Sequence, residues 1–408
     1  MDTSVIYSGD NAEVLRTHIL DNSIDLIYAD PPFFSNQQYE VIWGDGYELR
    51  AFEDRWKGGI ENYIAWMEPK LRECHRVLKN TGSMYLHCDW HANAHLRILM
   101  DKIFGEKMFR NAIVWHYSGW NKKNKYNFNS RHDTIMLYAK TNEQKFYSWA
   151  RPWASKEEYV KIRKQKIRVD PKTRKEYVLS DAGGGKRVKR FLEDAMKQGA
   201  YVDDVWDIDK LNNSAKEALG YPTQKPEALL ERIILASSDT MDIVLDPFCG
   251  CGTSIAVAHK QGRRWIGVDV SPTACKLIAK RMRKIGAKNI QLIGLPRTIE
   301  ELKKVAPFEF QNWVFEKLHG RVNPKKVGDM GIDGWVELDV PTQVKQSEGI
   351  GRNVVDNFET AIRRMKKNNG VIVAFSFGSG AYEEVARCKN QEFMEIKLKT
   401  VEEILKEP

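Results

Sequence analysis

The sequence predicts an α/β protein with a parallel sheet, and three observations lead there. Short apolar runs of strand length alternate with longer segments of helical spacing from Val5 onward. One such run, Ile24-Asp25-Leu26-Ile27-Tyr28-Ala29, stops abruptly at Asp30-Pro31-Pro32-Phe33. Another, Ile243-Val244-Leu245, opens into a glycine-bearing turn, Asp246-Pro247-Phe248-Cys249-Gly250-Cys251-Gly252-Thr253-Ser254. Two consecutive prolines end a strand because neither has an N–H for the ladder. The chain must leave the sheet at Asp30, at the carboxyl end of a strand, where open α/β sheets hold ligands. The turn offers an acceptor carboxylate, the Pro31 carbonyl and an aromatic ring, a set that suits a planar base with an exocyclic amine. A plain strand-ending turn is the competing reading, and the tetrapeptide alone leaves both open.

The elements follow in order. Val5-Ile6-Tyr7 is a strand ending in Ser8-Gly9-Asp10. From Ile60 to Leu78, Tyr63, Ile64, Met67, Leu71, Val77 and Leu78 recur at helical spacing, with Pro69 a point of kinking. Asn80-Thr81-Gly82 reads as a break, after which Ser83 to His87 resumes as a strand. Ala94 to Phe104 is helical; Asn111 to His116 and Thr134 to Tyr138 are strands. Glu227 to Ser237 is a helix burying Leu229, Leu230, Ile233 and Ile234. A helix follows the glycine turn, and Trp265-Ile266-Gly267-Val268 is a strand ending in Asp269.

Composition bounds the partners. The chain of 408 residues, 42% hydrophobic and 29% charged, is long enough for two or three domains. No stretch approaches the roughly 20 apolar residues of a membrane span. Met1-Asp2-Thr3 lacks the basic and apolar regions of a signal peptide, so a cytoplasmic location is expected. The six cysteines are scattered, and Cys249 and Cys251 lack His or Cys partners at zinc spacing. The formal charge of +9 permits a polyanionic partner. Residues 151–200 carry 15 Lys and Arg against 7 Asp and Glu, and the preceding Gly119 to Arg131 mixes Asn and Lys with Trp120, Tyr126 and Phe128. Basic residues interleaved with aromatics favour a nucleic-acid surface over a merely solvated face. Asp181-Ala182-Gly183-Gly184-Gly185-Lys186 lacks the spacing and the Ser/Thr of a P-loop.

A Gly-x-Gly turn brings backbone N–H groups close to a ligand, and an acid at the end of the next strand suits ribose hydroxyls. The glycine spacing falls short of the dinucleotide fingerprint. Asp246, ahead of the glycines, would repel a pyrophosphate and suits the amino group of S-adenosylmethionine.

With these motifs the chain resembles the β class of DNA amino-methyltransferases, in which an Asp-Pro-Pro-Phe/Tyr motif precedes the target-recognition region and the cofactor glycines come last. Ser8-Gly9-Asp10, Gly82, Ser83, His87, Arg131-His132-Asp133 and Thr223-Gln224-Lys225-Pro226 match as well. The resemblance spans about residues 3–295 and is weakest between 142 and 205. It implies a Rossmann-like, S-adenosylmethionine-dependent fold with circularly permuted motif order, and a methyltransferase over residues 1–297 with a target-recognition region inserted at about 116–220. It implies that Asp246, Phe248, Gly250, Gly252 and Thr253 surround the methionine part of the cofactor, that Asp269 takes the ribose and Asp10 the adenine amine, and that Thr223 and Lys225 close the methionine end, Lys225 on its carboxylate. Packing roles stay open for Phe248 and Thr223. Asp30, Pro31, Pro32 and Phe33 would be catalytic, holding the amine of a base flipped from double-stranded DNA. An Asp-led motif points to adenine N6 over cytosine N4, and away from a protein amide. The sequence leaves room for a homodimer and is silent on it.

From 298 to 408 a second pattern begins. Phe308 to Leu318 is an amphipathic helix; Ile332 to Leu338 and Thr342 to Lys345 form a hairpin across Asp339-Val340-Pro341. Asn353 to Lys367 and Ala381 to Arg387 are helices around a strand, Val371 to Phe375. An acid on one strand and Gln-x-Lys on the next could place a metal ligand and an ammonium on one face. The segment resembles the Mrr-like branch of the PD-(D/E)xK nuclease fold through Phe308-Glu309, Gly331-Ile332-Asp333-Gly334, Gln343-Val344-Lys345 and the turn Ser376 to Ala381. That resemblance implies a Mg2+ ion held by Glu309, Asp333 and Gln343, with Asp333, Gln343 and Lys345 catalytic. A nuclease-like fold kept only for binding DNA is the alternative.

Overall fold

The structure is a computed structural model that describes residues 2–407 apart from 35–37, 43–47, 54–57, 121–122, 149, 213, 216, 222, 324–330 and 338. At its centre is a nine-stranded sheet. Its order is Val205–Asp207, Phe109–His116, His132–Ala139, Leu78–Cys88, Ile24–Ala29, Ile243–Asp246, Arg264–Asp269, Val5–Ser8 and Gln291–Ile293. Every position of Ile24–Ala29 is buried, as a central strand with both faces covered requires. One face packs under the helices Gly59–Val77 and Asn93–Phe104 through Tyr63, Met67, Leu71, Leu96 and Met100. The other packs under Glu227–Ser237, Thr253–Lys260 and Pro272–Lys284 through Leu230, Ile234, Ile255 and Ile278.

The sheet departs from the expected parallel order at one strand. His132–Ala139 runs antiparallel to both of its neighbours. Among the described residues no crossover helix lies between it and Phe109–His116, so it pairs as a hairpin return. Asn80-Thr81-Gly82 also differs from expectation: it lies inside a strand, Leu78–Cys88, whose pairing shifts register between Ile24↔Leu78 and Leu26↔Ser83. A Cβ on Gly82 would come within 2.9 Å of the Asp25 carbonyl, so the glycine permits this irregular approach. The long helix runs on through Pro69.

The inserted region is smaller than the span 116–220. Strands His132–Ala139 and Val205–Asp207 belong to the central sheet, because their apolar residues complete its core. What packs separately is a small unit with its own cluster of Trp153, Tyr159, Val178, Leu192, Ala195 and Ala200. Its three-stranded sheet comprises Arg168–Val169, Glu176–Asp181 and Arg187–Phe191.

The C-terminal part has its own cores between Leu302 and Ile404. After the helix Pro307–Lys317, its sheet runs in the order Arg321–Val322, Gly334–Val336, Val340–Lys345, Asn369–Ala374 and Glu395–Thr400. The first three strands are antiparallel and the last two join in parallel. The hairpin turn falls earlier than expected: Glu337 and Asp339 take left-handed φ of 50° and 69°, and the strand has begun by Val340. Leu338 lies outside the described residues. Among the described residues no helix is long and apolar enough to cross a membrane.

Candidate active site

The strands ending at Ala29, Asp246 and Asp269 are mutually parallel, so their carboxyl ends deliver Asp30, Asp246 and Asp269 to one edge of the sheet. A cavity of about 360 Å³ opens there. It brings Asp10, Asp30, Pro31, Pro32, Phe33, Thr223, Lys225, Asp246, Phe248, Gly250, Thr253 and Asp269 onto a common wall. Residues more than 200 positions apart in the chain thus share one chamber. Gly252 stands just behind the wall: its φ is +76°, and a Cβ there would meet Ile278 at 2.9 Å. Gly250 has a φ of +53° and lies under the Tyr221 ring.

Asp246 and Asp269 are built into the turn they serve. The Phe248 N–H donates to Asp246 at 3.0 Å and the Ser254 hydroxyl donates to its other oxygen. Asp269 accepts from Gly250 N–H at 2.7 Å and Ser271 N–H at 2.9 Å, which ties the glycine turn to the next strand. Burial pushes the Asp246 carboxyl up to about 7, against the pull of those two hydrogen bonds. Burial likewise raises Asp269 to about 6. A cation at Asp246 would therefore be answered by ionisation of the acid. Thr253, though on the wall, accepts from Arg281 at 3.1 Å.

Asp10 and Lys225 each have partners within the protein. One oxygen of Asp10 caps the helix Asn11–His18, accepting from Ala12 and Glu13, and the other accepts from Lys70 at 2.8 Å. Its carboxylate is thus held in place by protein partners while it lines the cavity. Lys225 donates to Asp30 and to the Thr223 carbonyl at 3.2 Å, and its ammonium lies 5.2 Å from the Phe33 ring. It therefore sits at the base-holding turn, on the same cavity as Asp246 and Thr253. Lys70, only 5% exposed, lines the cavity and lies 4.4 Å over the Trp66 ring, so it is a second buried cation within this chamber. Tyr63 donates to the Pro32 carbonyl at 2.7 Å and fixes the course of the turn.

Behind Asp30 lies a buried polar chain that motif reading did not connect. His87 is fully buried, with Nδ1 2.9 Å from the Tyr28 hydroxyl and 3.4 Å from Asp30. Its Nε2 lies 3.5 Å from Asp133. Tyr117 donates to Asp133 at 3.0 Å, and Lys210 lies 3.7 Å away. Burial opposes ionisation of Asp133, yet His87, Lys210 and Lys225 hold it down to about 2. For His87 burial dominates and lowers its pKa, with Asp30 and Asp133 pulling the other way. Asp30 Oδ1 and Asn11 Oδ1 are buried on the cavity wall without hydrogen-bond partners among the described residues. Such acceptors await a donor.

The second predicted site fares differently. Glu309 is a correction: its buried carboxylate accepts from the Ser271 hydroxyl, the Thr273 hydroxyl at 2.7 Å and the Thr273 N–H at 3.4 Å. It joins the C-terminal part to the start of the helix Pro272–Lys284 and is not available to a metal. Asp333 accepts from Val344 N–H at 2.8 Å. Gln343 donates to Gly331 at 2.9 Å, while its Oε1 is buried without a partner among the described residues. Glu309 therefore does not fit a metal set with Asp333 and Gln343. Glu359, Glu384 and Cys388 have metal-ligand spacing, but Arg363 and Arg387 neutralise Glu359, and Arg352 and Arg387 neutralise Glu384.

The family described as DNA methylase matches residues 24–281. The DNA adenine methyltransferase YhdJ of Escherichia coli (strain K12) is 30% identical over 281 residues, 69% of this chain and 83% of the relative. The type II methyltransferase M.BglII of Bacillus subtilis is 32% identical over 279 residues, 65% of each chain. A solved structure, PvuII DNA methyltransferase (cytosine-N4-specific), is 17% identical with a TM-score of 0.46, over 71% of this chain and 90% of that one.

Proposed function

Since the chain belongs to the DNA methylase family, we propose that it transfers a methyl group from S-adenosylmethionine to the N6 amine of an adenine in double-stranded DNA. The observation that carries this reading is the shared cavity: the Asp30–Phe33 turn and the Asp246–Thr253 turn both line it. The donor set suits the cofactor, with an acid for an ammonium at Asp246, an acid for a ribose at Asp269 and a glycine turn between them. Bound there, S-adenosylmethionine would supply an electrophilic methyl on a sulfonium.

The chain's own task is then to make a weak nucleophile competent. An exocyclic amine has its lone pair delocalised into the ring. Asp30 and the Pro31 carbonyl accept its two hydrogens and favour a pyramidal nitrogen. Positioning and electrostatics supply the catalysis, with no covalent intermediate on the protein. Lys225 holds one carboxylate oxygen of Asp30 and leaves the open Oδ1 to the amine, and Asp30 or water takes the proton after transfer. Flipping the base costs a few kcal/mol, and stacking on Phe33, worth roughly 1–3 kcal/mol, offsets part of it. The Asp-led motif favours adenine, as does the adenine methyltransferase among the relatives. Labelled methyl transfer to duplex DNA followed by nucleoside analysis tests the reading. N6-methyladenine is expected; N4-methylcytosine would move the target, and no labelled nucleoside would overturn the function.

A second reading, a nuclease activity in residues 298–408 that would put modification and restriction in one chain, has one favouring observation. Gln343 Oε1 is a buried acceptor left open among the described residues, on the same strand as Lys345. The engaged Glu309 counts against it. Cleavage of unmethylated DNA with Mg2+ that is lost in Lys345→Ala would support it, and equal behaviour of the two proteins would end it.

A further inference from the structure

We propose that the loop between Phe109–His116 and His132–Ala139 opens the DNA duplex, with Phe128 entering the base stack at the place the target nucleotide leaves. The inference rests on the methyltransferase reading and assigns a residue to a step that reading requires.

Phe128 is 97% exposed, Trp120 90% and Tyr126 87%. Among these three, Phe128 has no polar group for water or protein to satisfy, so only an apolar or stacked partner answers its exposure. Its position is set by the sheet. Ala29 pairs with Leu86, Cys88 with Thr134 and His116 with His132, so the loop leaves the sheet at the edge that carries Asp30. The base of the loop is fastened to the site itself. Tyr117 N–H donates to the Arg131 carbonyl at 3.0 Å and its hydroxyl to Asp133 at 3.0 Å, one step along the chain of contacts through His87 to Asp30. Ser118 donates to Asp209 through N–H, at 2.9 Å, and hydroxyl. Arg131 donates to the Trp120 carbonyl. A held base with aromatic side chains standing in solvent is the form of a wedge.

Charge names the occupant. No Asp or Glu lies between Tyr117 and Arg131, and Lys123 and Lys125 are exposed beside the aromatics. Phosphates flanking an opened base step meet those ammonium groups while the ring fills the gap in the stack. An apolar protein surface would not call for the lysines. A flipped base tends to return to its partner, and a ring occupying its place removes that path.

The test uses the full chain and oligoduplexes built around the sequence that the wild-type protein methylates in plasmid DNA. Single-turnover transfer is measured with the target base normally paired and with it opposite an abasic site. Phe128→Ala is expected to slow transfer about 10–100-fold on the paired duplex and to match the wild type within about threefold opposite the abasic site, where little remains to be opened. Phe128→Trp should retain most of the paired-duplex rate. Equal slowing on both duplexes, or wild-type rates on both, would overturn the wedge while leaving the methyltransferase reading intact. Absence of any transfer by the wild type would overturn that reading first, and this inference with it.

Discussion

The methyltransferase cavity and the predicted nuclease site drew on the same kind of sequence signal, acids and a lysine at the ends of strands. They fold to different outcomes. At the cavity, Asp30 and Asn11 keep buried acceptors open and Asp246 is held unusually protonated, so the site retains capacity for a ligand. In the C-terminal part, Glu309 is consumed by docking and Asp333 binds the backbone of the next strand. A polar residue marks a site when its bonding capacity is unspent at a cavity, and motif position alone does not reveal that.

The contrast breaks most sharply at Asp30. Asp30→Ala should lower methyl transfer by about 10²–10³-fold at saturating cofactor and DNA, while cofactor affinity by calorimetry changes little. Retention of normal transfer would remove the catalytic half of the comparison. Next in size is the pH dependence of cofactor binding. Protonated Asp246 cannot pair with an ammonium, so affinity should hold above pH 7 and weaken below it, by up to about tenfold per pH unit. Asp246→Asn should bind weakly at all pH values and flatten that profile. A wild-type affinity indifferent to pH between 5 and 8 would count against the assignment.

Glu309 gives a smaller effect of another kind. Glu309→Ala leaves buried hydroxyls unpaired and should cost about 1–3 kcal/mol of stability in denaturant titration. Adding Mg2+ to the wild type should not raise stability through this residue; a magnesium-dependent gain lost in the variant would restore it as a ligand. The smallest change is expected for Gln343→Leu, within about 1 kcal/mol, because it removes an unpaired oxygen along with one hydrogen bond. Loss of a magnesium effect in that variant would sharpen the second site instead of erasing it.

The sheet and the cavity were legible because their signals are local. Prolines end a strand at Asp30, and glycines turn at Gly250 and Gly252 whatever the rest of the chain does. Lys70 left a trace, a lysine among Met67, Leu71 and Cys74 on the apolar face of a helix, but its partner Asp10 could be found only in three dimensions. The link from Asp30 through His87 to Asp133 depends on an antiparallel strand that apolar periodicity does not distinguish from a parallel one. Glu309 misled for the opposite reason. Its motif surroundings matched, while the hydroxyls that claim it, Ser271 and Thr273, lie in the other part of the chain.

That docking contact also bears on how the two parts are joined. Ser271 gives its N–H to Asp269, at the cavity, and its hydroxyl to Glu309. The seam is therefore a chemical fit and not only a tether. A chain shortened at 297 would leave this helix start without its acid, and any graft replacing residues 298–408 would need an acceptor at the same point.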